Sequence, residues 1–405
     1  MMDKQKINSV IGVLSVVAVL ALAGNASGAW TQAQKIYEAS GQAGDVFGIA
    51  TGLSGDTAIV SARGDEKAFI WQREVDGSWA QLGGALASDV PTGGDQFGFD
   101  VRVSGDLAIV GSRFDDDMAE NAGAAFIFRR NGTDTWVREA KLYASDASAW
   151  GIFGQSVDIS GDYAIVGTAN AKAYIFHRDQ NGIWSQEHLI SDCGYAVGIH
   201  GSAAVVTKYN DSARVYSRDA GTGTWIQEGG NLTSGVSGDE FGVQARIAGD
   251  FLVVGAPGDG SNAEGAAYVY ERVVDGDTVS WANKTKLTSA VRINDAHFGR
   301  YVDIAGESVA LGTWSGGTGD EGAYVFDYEG STWSQTARLE SDDPLAGENF
   351  GVGVSIGAGI VIVGEQSGDG AVADSGAAYV FVPEPGTLAM VAIGGIGALV
   401  RRRRR

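Results

Sequence analysis

Along most of the chain, short apolar runs alternate with glycine- and aspartate-rich turns. Val101-Arg102-Val103 has the period of two expected of a strand with one buried face, and Ala108-Ile109-Val110 is a compact apolar run. Between them Ser104-Gly105-Asp106 reads as a tight hairpin turn. Phe126-Ile127-Phe128 supplies a third strand, and the segment around Trp136, entered through Asn131-Gly132, a fourth. The pattern predicts units of four short antiparallel strands.

The unit repeats. Phe-Gly pairs stand at Phe47-Gly48, Phe97-Gly98, Phe153-Gly154, Phe241-Gly242, Phe298-Gly299 and Phe350-Gly351. Cys193-Gly194 holds the remaining slot, because Gly201 follows Cys193 by the same eight residues that separate Gly55 from Phe47. The seven anchors lie 40 to 57 residues apart. An alanine-led strand recurs at Ala68, Ala125, Ala173, Ala267, Ala323 and Ala378, with a degenerate copy at Ala213-Arg214-Val215-Tyr216. A tryptophan recurs at Trp79, Trp136, Trp184, Trp225, Trp281 and Trp333, but none follows the last Phe-Gly. The missing one is Trp30, ahead of the first. Radial repetition of such units predicts an all-β, seven-bladed β-propeller of four-stranded blades over residues 30–382. The N-terminal strand completes the last blade and closes the ring, whereas a stacked solenoid would leave open ends. The aromatic positions are expected to fill the gaps between blades, and the glycine after each phenylalanine to admit close backbone approach.

Composition agrees with many tight turns: 61 glycines but only 5 prolines, which excludes collagen. A hydrophobic content of 44% is ample for a core. The formal net charge of −21 repels nucleic acid and anionic lipid, so DNA and RNA are not expected partners. With Cys193 as the single cysteine no intrachain disulfide forms, and its phenylalanine slot marks it as a small packing residue.

Both ends read as addresses. Lys4 and Lys6, the apolar run Val10 to Ala23 and the small residues Gly24 to Ala29 have the layout of a secretory signal peptide over residues 1–29. It implies a secretion translocon and a signal peptidase as partners, with cleavage after Ala26 or Ala29. At the other end come Pro383-Glu384-Pro385, an apolar stretch from Leu388 to Val400 and the cluster Arg401, Arg402, Arg403, Arg404 and Arg405. This order, a rigid tripeptide, a short membrane-seeking helix and a cationic anchor, resembles the PEP-CTERM sorting signal. The resemblance implies recognition at Pro383, Glu384 and Pro385 by an exosortase-type sorting enzyme. It also implies transient anchoring by the helix, and release at the surface of a Gram-negative-type cell with a polysaccharide matrix.

Phe241-Gly242 followed by Val254-Gly255-Ala256-Pro257 resembles the FG-GAP repeat, known from the propellers of integrin α-subunits. In calcium-binding members an Asp-x-Asp-x-Asp-Gly loop follows the first strand. Here that slot is too short, as at Ser160-Gly161-Asp162, so the family's calcium site does not carry over.

Strand order places the connections between strands two and three, and those between blades, at one end of the ring. That end collects Asp115, Asp116, Asp117, Asp259, Asp320 and Asp369, with Asp95, Asp239, Asp295 and Asp343 from the interblade segments. The loops of units five, six and seven are adjacent and long. Two readings stand: a solvated acidic rim, or a cation-dependent ligand face, since calcium takes several carboxylate and carbonyl oxygens. No other cofactor is implied. His177, His188, His200 and His297 fall at unrelated repeat positions, without zinc or nucleophile–base spacing. No catalytic residue is assigned; a cluster of Asp, Arg, Tyr or His in the central funnel would argue otherwise. Arg63-Gly64-Asp65 matches an integrin-binding tripeptide and is read as coincidence. The expectation is a non-enzymatic cell-surface or matrix protein whose propeller is a binding platform for glycans or surface proteins. The alternatives are a secreted hydrolase or lyase acting on polysaccharide, and a purely structural matrix component.

Overall fold

The computed structural model describes residues 30–88, 93–276, 278–315, 321–343 and 347–384. These form seven sheets, each of four consecutive antiparallel strands except the last, with a two-residue strand, Leu86–Ala87, added to the first. Blade 2 shows the unit: Phe97–Ser104, Leu107–Ser112, Ala124–Asn131 and Thr135–Leu142. The innermost strands of blades 1 and 3 to 7 are Phe47–Ser54, Ser156–Ser160, Val197–His200, Ala245–Ala248, Tyr301–Ala305 and Phe350–Gly357. In blade 7 the outermost strand is Trp30–Ile36, running antiparallel to Ala377–Pro383 with Trp30 opposite Pro383 and Ile36 opposite Ala378. The ring is closed as the displaced tryptophan predicted.

Blades stack face to face, so each second strand has a neighbour on both sides. That is why Thr57–Ala62 and Leu107–Ser112 are buried along their whole length, where a sheet with one wet face would alternate. The apolar residues divide into seven clusters, one at each junction. The cluster between blades 7 and 1 joins Ile36, Ile362 and Val380 to Phe47, Phe69 and Trp71. Each repeat phenylalanine sits in such a gap, edge-on to aromatics of its own third strand, as Phe97 is to Phe126 at 5.2 Å.

The glycine after it is required by geometry. Gly154 has φ 92°, and a Cβ there would collide with the carbonyl oxygen of Ala124 in blade 2. The Ser-Gly-Asp turn also joins blades. Ser54 Oγ accepts the Gly105 N–H at 3.1 Å, Ser104 Oγ that of Gly161 at 3.2 Å, and Ser160 Oγ that of Gly201 at 2.9 Å. Cys193 is buried, its Sγ 3.3 Å from the Val206 carbonyl, and burial pushes its thiol up to about 12.

Candidate functional site

The innermost strand of every blade is a sheet edge, with backbone groups that no further strand pairs. Side chains facing the ring axis serve them. Arg102 in blade 2 donates to the Thr51 carbonyl in blade 1, and Asp100 accepts the Val157 N–H of blade 3 at 2.9 Å. Asp158 accepts the Ile199 N–H of blade 4 at 2.8 Å, and Arg246 of blade 5 donates back to the Val197 carbonyl at 2.7 Å. Gln244 accepts the Val302 N–H of blade 6 at 2.9 Å, and Asp303 the Ile356 N–H of blade 7 at 2.9 Å. Thr51 Oγ1 closes the circle on the Gly353 carbonyl at 2.8 Å. Every blade junction thus has a polar staple at the axis.

Four of these groups occupy one repeat position, five residues after the phenylalanine: Arg102, Asp158, Arg246 and Asp303. Arg246 also reaches across the ring from blade 5 to Asp100 in blade 2, at 3.4 Å. Burial pushes the carboxyls of Asp158 and Asp303 up, and the guanidiniums of Arg246 and Arg102 oppose it. Burial, with Arg102 alongside, lowers the Arg246 guanidinium. The belt is a paired, hydrogen-bonded plug in the ring's centre.

Above the plug, at the end where strands two and three connect, opens a funnel of about 260 Å³. Its lining includes the residues just after the anchor glycines of six repeats: Ile49, Phe99, Gln155, Tyr195, Val243 and Arg300, with Tyr195 following Cys193-Gly194. Arg63 and Arg113 enter from the slot directly after the second strand of blades 1 and 2. Phe99 carries both guanidiniums, with Cζ 5.5 Å from its ring centre for Arg63 and 3.8 Å for Arg113. Arg113 Nε donates to Gln96 Oε1 at 2.6 Å, and Arg300 lies 3.7 Å from Glu240. Neither Arg63 nor Arg113 has a carboxylate partner among the described residues. Burial, and then the like charge of Arg63, brings the Arg113 guanidinium down to about 10; burial lowers Arg63 as well. In a chain of net charge −21, this is a concave pocket where Arg102 and Arg300 meet Asp100 and Glu240, while the charges of Arg63 and Arg113 meet no carboxylate among the described residues.

The acidic residues singled out from the sequence are arranged differently. Asp115 is buried and paired with Lys141 at 2.6 Å; Asp117 takes the same lysine at 2.6 Å and the Tyr143 hydroxyl at 2.9 Å. Asp116 accepts the Asn121 N–H at 2.6 Å. Asp259 is buried between the Tyr268 hydroxyl and Lys286, each at 2.6 Å, and Asp369 accepts the Asp374 N–H at 3.2 Å. These groups are held within blades 2, 5 and 7, and Asp320 lies outside the described residues. Among the described residues, carboxylates with metal-ligand spacing are instead Glu38, Asp45 and Asp65, within 4.8 Å of one another. Lys67 pairs with two of them, Glu38 at 3.6 Å and Asp65, so an ammonium group already answers that charge.

Arg63-Gly64-Asp65 forms a single 3-10 turn that splits the tripeptide between two tasks, with Arg63 lining the funnel and Asp65 bound to Lys67. The funnel's arginines were legible only as departures from repeat consensus: Arg63 and Arg113 share one slot, and Arg300 stands where other repeats have Ile49, Phe99 or Val243. Of the sorting signal, Pro383 ends the third strand of blade 7 and Glu384 follows it. Pro385, Arg401, Arg402 and Arg403 lie outside the described residues, as do residues 1–29. No helix among the described residues is long and apolar enough to cross a membrane.

Comparison with known proteins matches the FG-GAP repeat over residues 30–74, 79–128, 136–182, 233–270 and 333–381, more than half of the chain. Each match starts on or just after the fourth strand of one blade and runs into the next, so the sequence repeat is offset from the blade. The PEP-CTERM protein-sorting motif matches residues 381–405, marking an exported chain recognised by an exosortase-type enzyme. A crystal structure of a protein from Lactobacillus plantarum is similar at 14% identity, covering 72% of this chain and 84% of that one, with a TM-score of 0.48. No curated protein matches. Seven four-stranded blades, the Phe-Gly anchors in their gaps and the matched repeats lead to one conclusion: the chain belongs to the FG-GAP repeat family.

Proposed function

We propose that this exported protein is a non-enzymatic cell-surface or matrix component that holds a ligand in the funnel of its propeller. The funnel carries the reading: it is concave, open to one face, and lined by aromatic and polar groups on a ring stapled at every junction. Ile49 and Phe99 stand on innermost strands, and Arg63, Arg113, Gln155, Tyr195, Val243 and Arg300 on the short turns at strand ends, all held by the stapled ring. Glycans and surface proteins are the ligands proposed from the protein's address.

The funnel does cluster Arg, Tyr and Asp, the constellation that would favour a polysaccharide hydrolase or lyase. What supports binding instead is the state of those groups. Asp100 is committed to the N–H groups of Val101 and Val157, the Ser156 hydroxyl and Arg246. Burial raises the Tyr301 hydroxyl above its ordinary range, which makes it a poor base near neutral pH. The sorting signal suits a tethered role, because Pro383 ends the last ring strand and cutting beyond Glu384 leaves all seven blades whole.

Glycan-array binding by the full-length chain and by Phe99→Ala and Tyr195→Ala variants tests the proposal. Signals that fall at least tenfold in both variants support the funnel. A blank array, or signals indifferent to both substitutions, favours a purely structural matrix protein, and shortened glycan products favour the enzyme.

A further inference from the structure

Building on that reading, we infer that the funnel mouth is a carboxylate-binding site that takes one uronic-acid unit of an acidic polysaccharide. The charge argument comes first. Arg63 and Arg113 both lie over one ring, Phe99, without a carboxylate partner among the described residues, while rim lysines such as Lys141 and Lys286 are paired. Two like charges in one concavity repel each other, and an anion between them relieves that repulsion. A guanidinium fork matches a planar carboxylate with two parallel hydrogen bonds. Phe99 restrains both guanidiniums through cation–π contact, at 3.8 Å for Arg113 and 5.5 Å for Arg63, so less side-chain freedom is lost when the anion arrives.

The rest of the lining selects the kind of anion. Gln155, Tyr195 and Gln244 add neutral hydrogen-bonding groups to the same cavity, and Ile49, Phe99 and Val243 add apolar surface. One acid group, several hydroxyls and an apolar ring face is the description of a uronic acid. At about 260 Å³ the cavity lies below the roughly 300–1,000 Å³ usual for small-molecule sites. It therefore suits a single sugar unit, with the remaining polymer lying outside.

Titration calorimetry of the full-length chain with oligogalacturonate tests the inference against three comparators: its methyl ester, neutral dextran and poly-glutamate. The expected result is binding of oligogalacturonate that weakens with salt, with at least tenfold weaker binding of each comparator. Arg63→Gln and Arg113→Gln should each weaken oligogalacturonate binding at least tenfold. Arg292→Gln, on the rim beside Glu264, should leave it unchanged. Arg63→Lys and Arg113→Lys keep the charge and remove the fork, so partial loss at an unchanged melting temperature separates recognition from misfolding. Poly-glutamate bound as tightly as oligogalacturonate would overturn the sugar assignment. Dextran bound in a Phe99-dependent manner would overturn the carboxylate site while leaving the funnel reading intact. Failure to bind any probe would overturn the inference, and a Phe99-dependent array signal from another ligand would show that only the inference had failed.

Discussion

Glu365 ends the second strand of blade 7, where only 1% of its surface is exposed. The Tyr379 hydroxyl donates to its carboxylate at 2.6 Å, with Asp343 and Lys35 close by. Burial, reinforced by the like charges of Glu348 and Asp343, outweighs the tyrosine bond and Lys35 and pushes this carboxyl up to about 7. A folded-state value above the ordinary 4.5 means that the native protein holds a proton which the unfolded chain releases. Stability from this group is therefore full below about pH 4.5 and declines as pH rises towards 7. A tenfold change in proton affinity is worth about 1.4 kcal/mol, so ionising the carboxyl costs on the order of 1–3 kcal/mol at pH 8. Glu365→Gln keeps an acceptor for Tyr379 and should be more stable than the parent by that amount at pH 8, with little difference at pH 4.5. Urea midpoints at the two pH values check this, and an equal difference at both would clear the carboxyl of responsibility. Nothing in the local sequence Val363-Gly364-Glu365 signals the effect, because it arises from burial in the folded ring and from the like charges of Glu348 and Asp343.

At the scale of strands, the repeat tryptophans were legible as markers of the fourth strand, but their bonding was not. Trp184 Nε1 donates to Glu139 of the preceding blade at 2.9 Å, Trp225 Nε1 to Glu187 at 3.0 Å and Trp281 Nε1 to Glu228 at 3.0 Å. An arginine of the same later blade joins each: Arg178 at 2.7 Å, Arg218 at 2.7 Å and Arg272 at 3.3 Å. Three successive junctions are thereby latched at their outer edge, as the axial staples latch the inner edge. Burial would raise the Glu139 carboxyl, but the bonds from Arg178 and Trp184 outweigh it and hold it below the ordinary range. Its contribution should accordingly be present near neutral pH and disappear as pH falls through that lowered value. Glu139→Ala should cost about 2–3 kcal/mol and Trp184→Phe about 1 kcal/mol. In the double variant the losses should be less than additive by on the order of 1 kcal/mol, measured by chemical denaturation. Strict additivity would mean that the two side chains do not act together.

For the whole molecule the decisive element is Trp30–Ile36. Without it, Ala377–Pro383 becomes an open edge and the cluster shared by blades 7 and 1 loses Ile36. Deleting residues 30–36 should destabilise the protein by on the order of 5 kcal/mol, from lost ladder bonds and apolar burial, and should promote association through the new edge. Denaturant midpoints and size-exclusion profiles of the deletion variant check both effects. An unchanged midpoint in a monomeric variant would mean that the ring does not depend on closure.

Much of the architecture follows from local pattern. Period-two strands, tight Gly-Asp turns and glycines where backbones crowd are short-range requirements, so each repeat records them, and seven repeats with one displaced tryptophan imply closure. The funnel, the axial charge belt and the rim ion pairs are of another kind. Their partners come from different blades, and a repeat position does not say whether a charge meets its counter-charge. Ten acidic residues drew attention in the sequence, yet Asp115, Asp116, Asp117, Asp259 and Asp369 are held by lysines, tyrosines or nearby backbone. Arg63, set aside as part of a chance tripeptide, stands in the pocket beside Arg113. Local sterics wrote the blades into the chain; only the closed ring decided which charges were answered and which faced solvent.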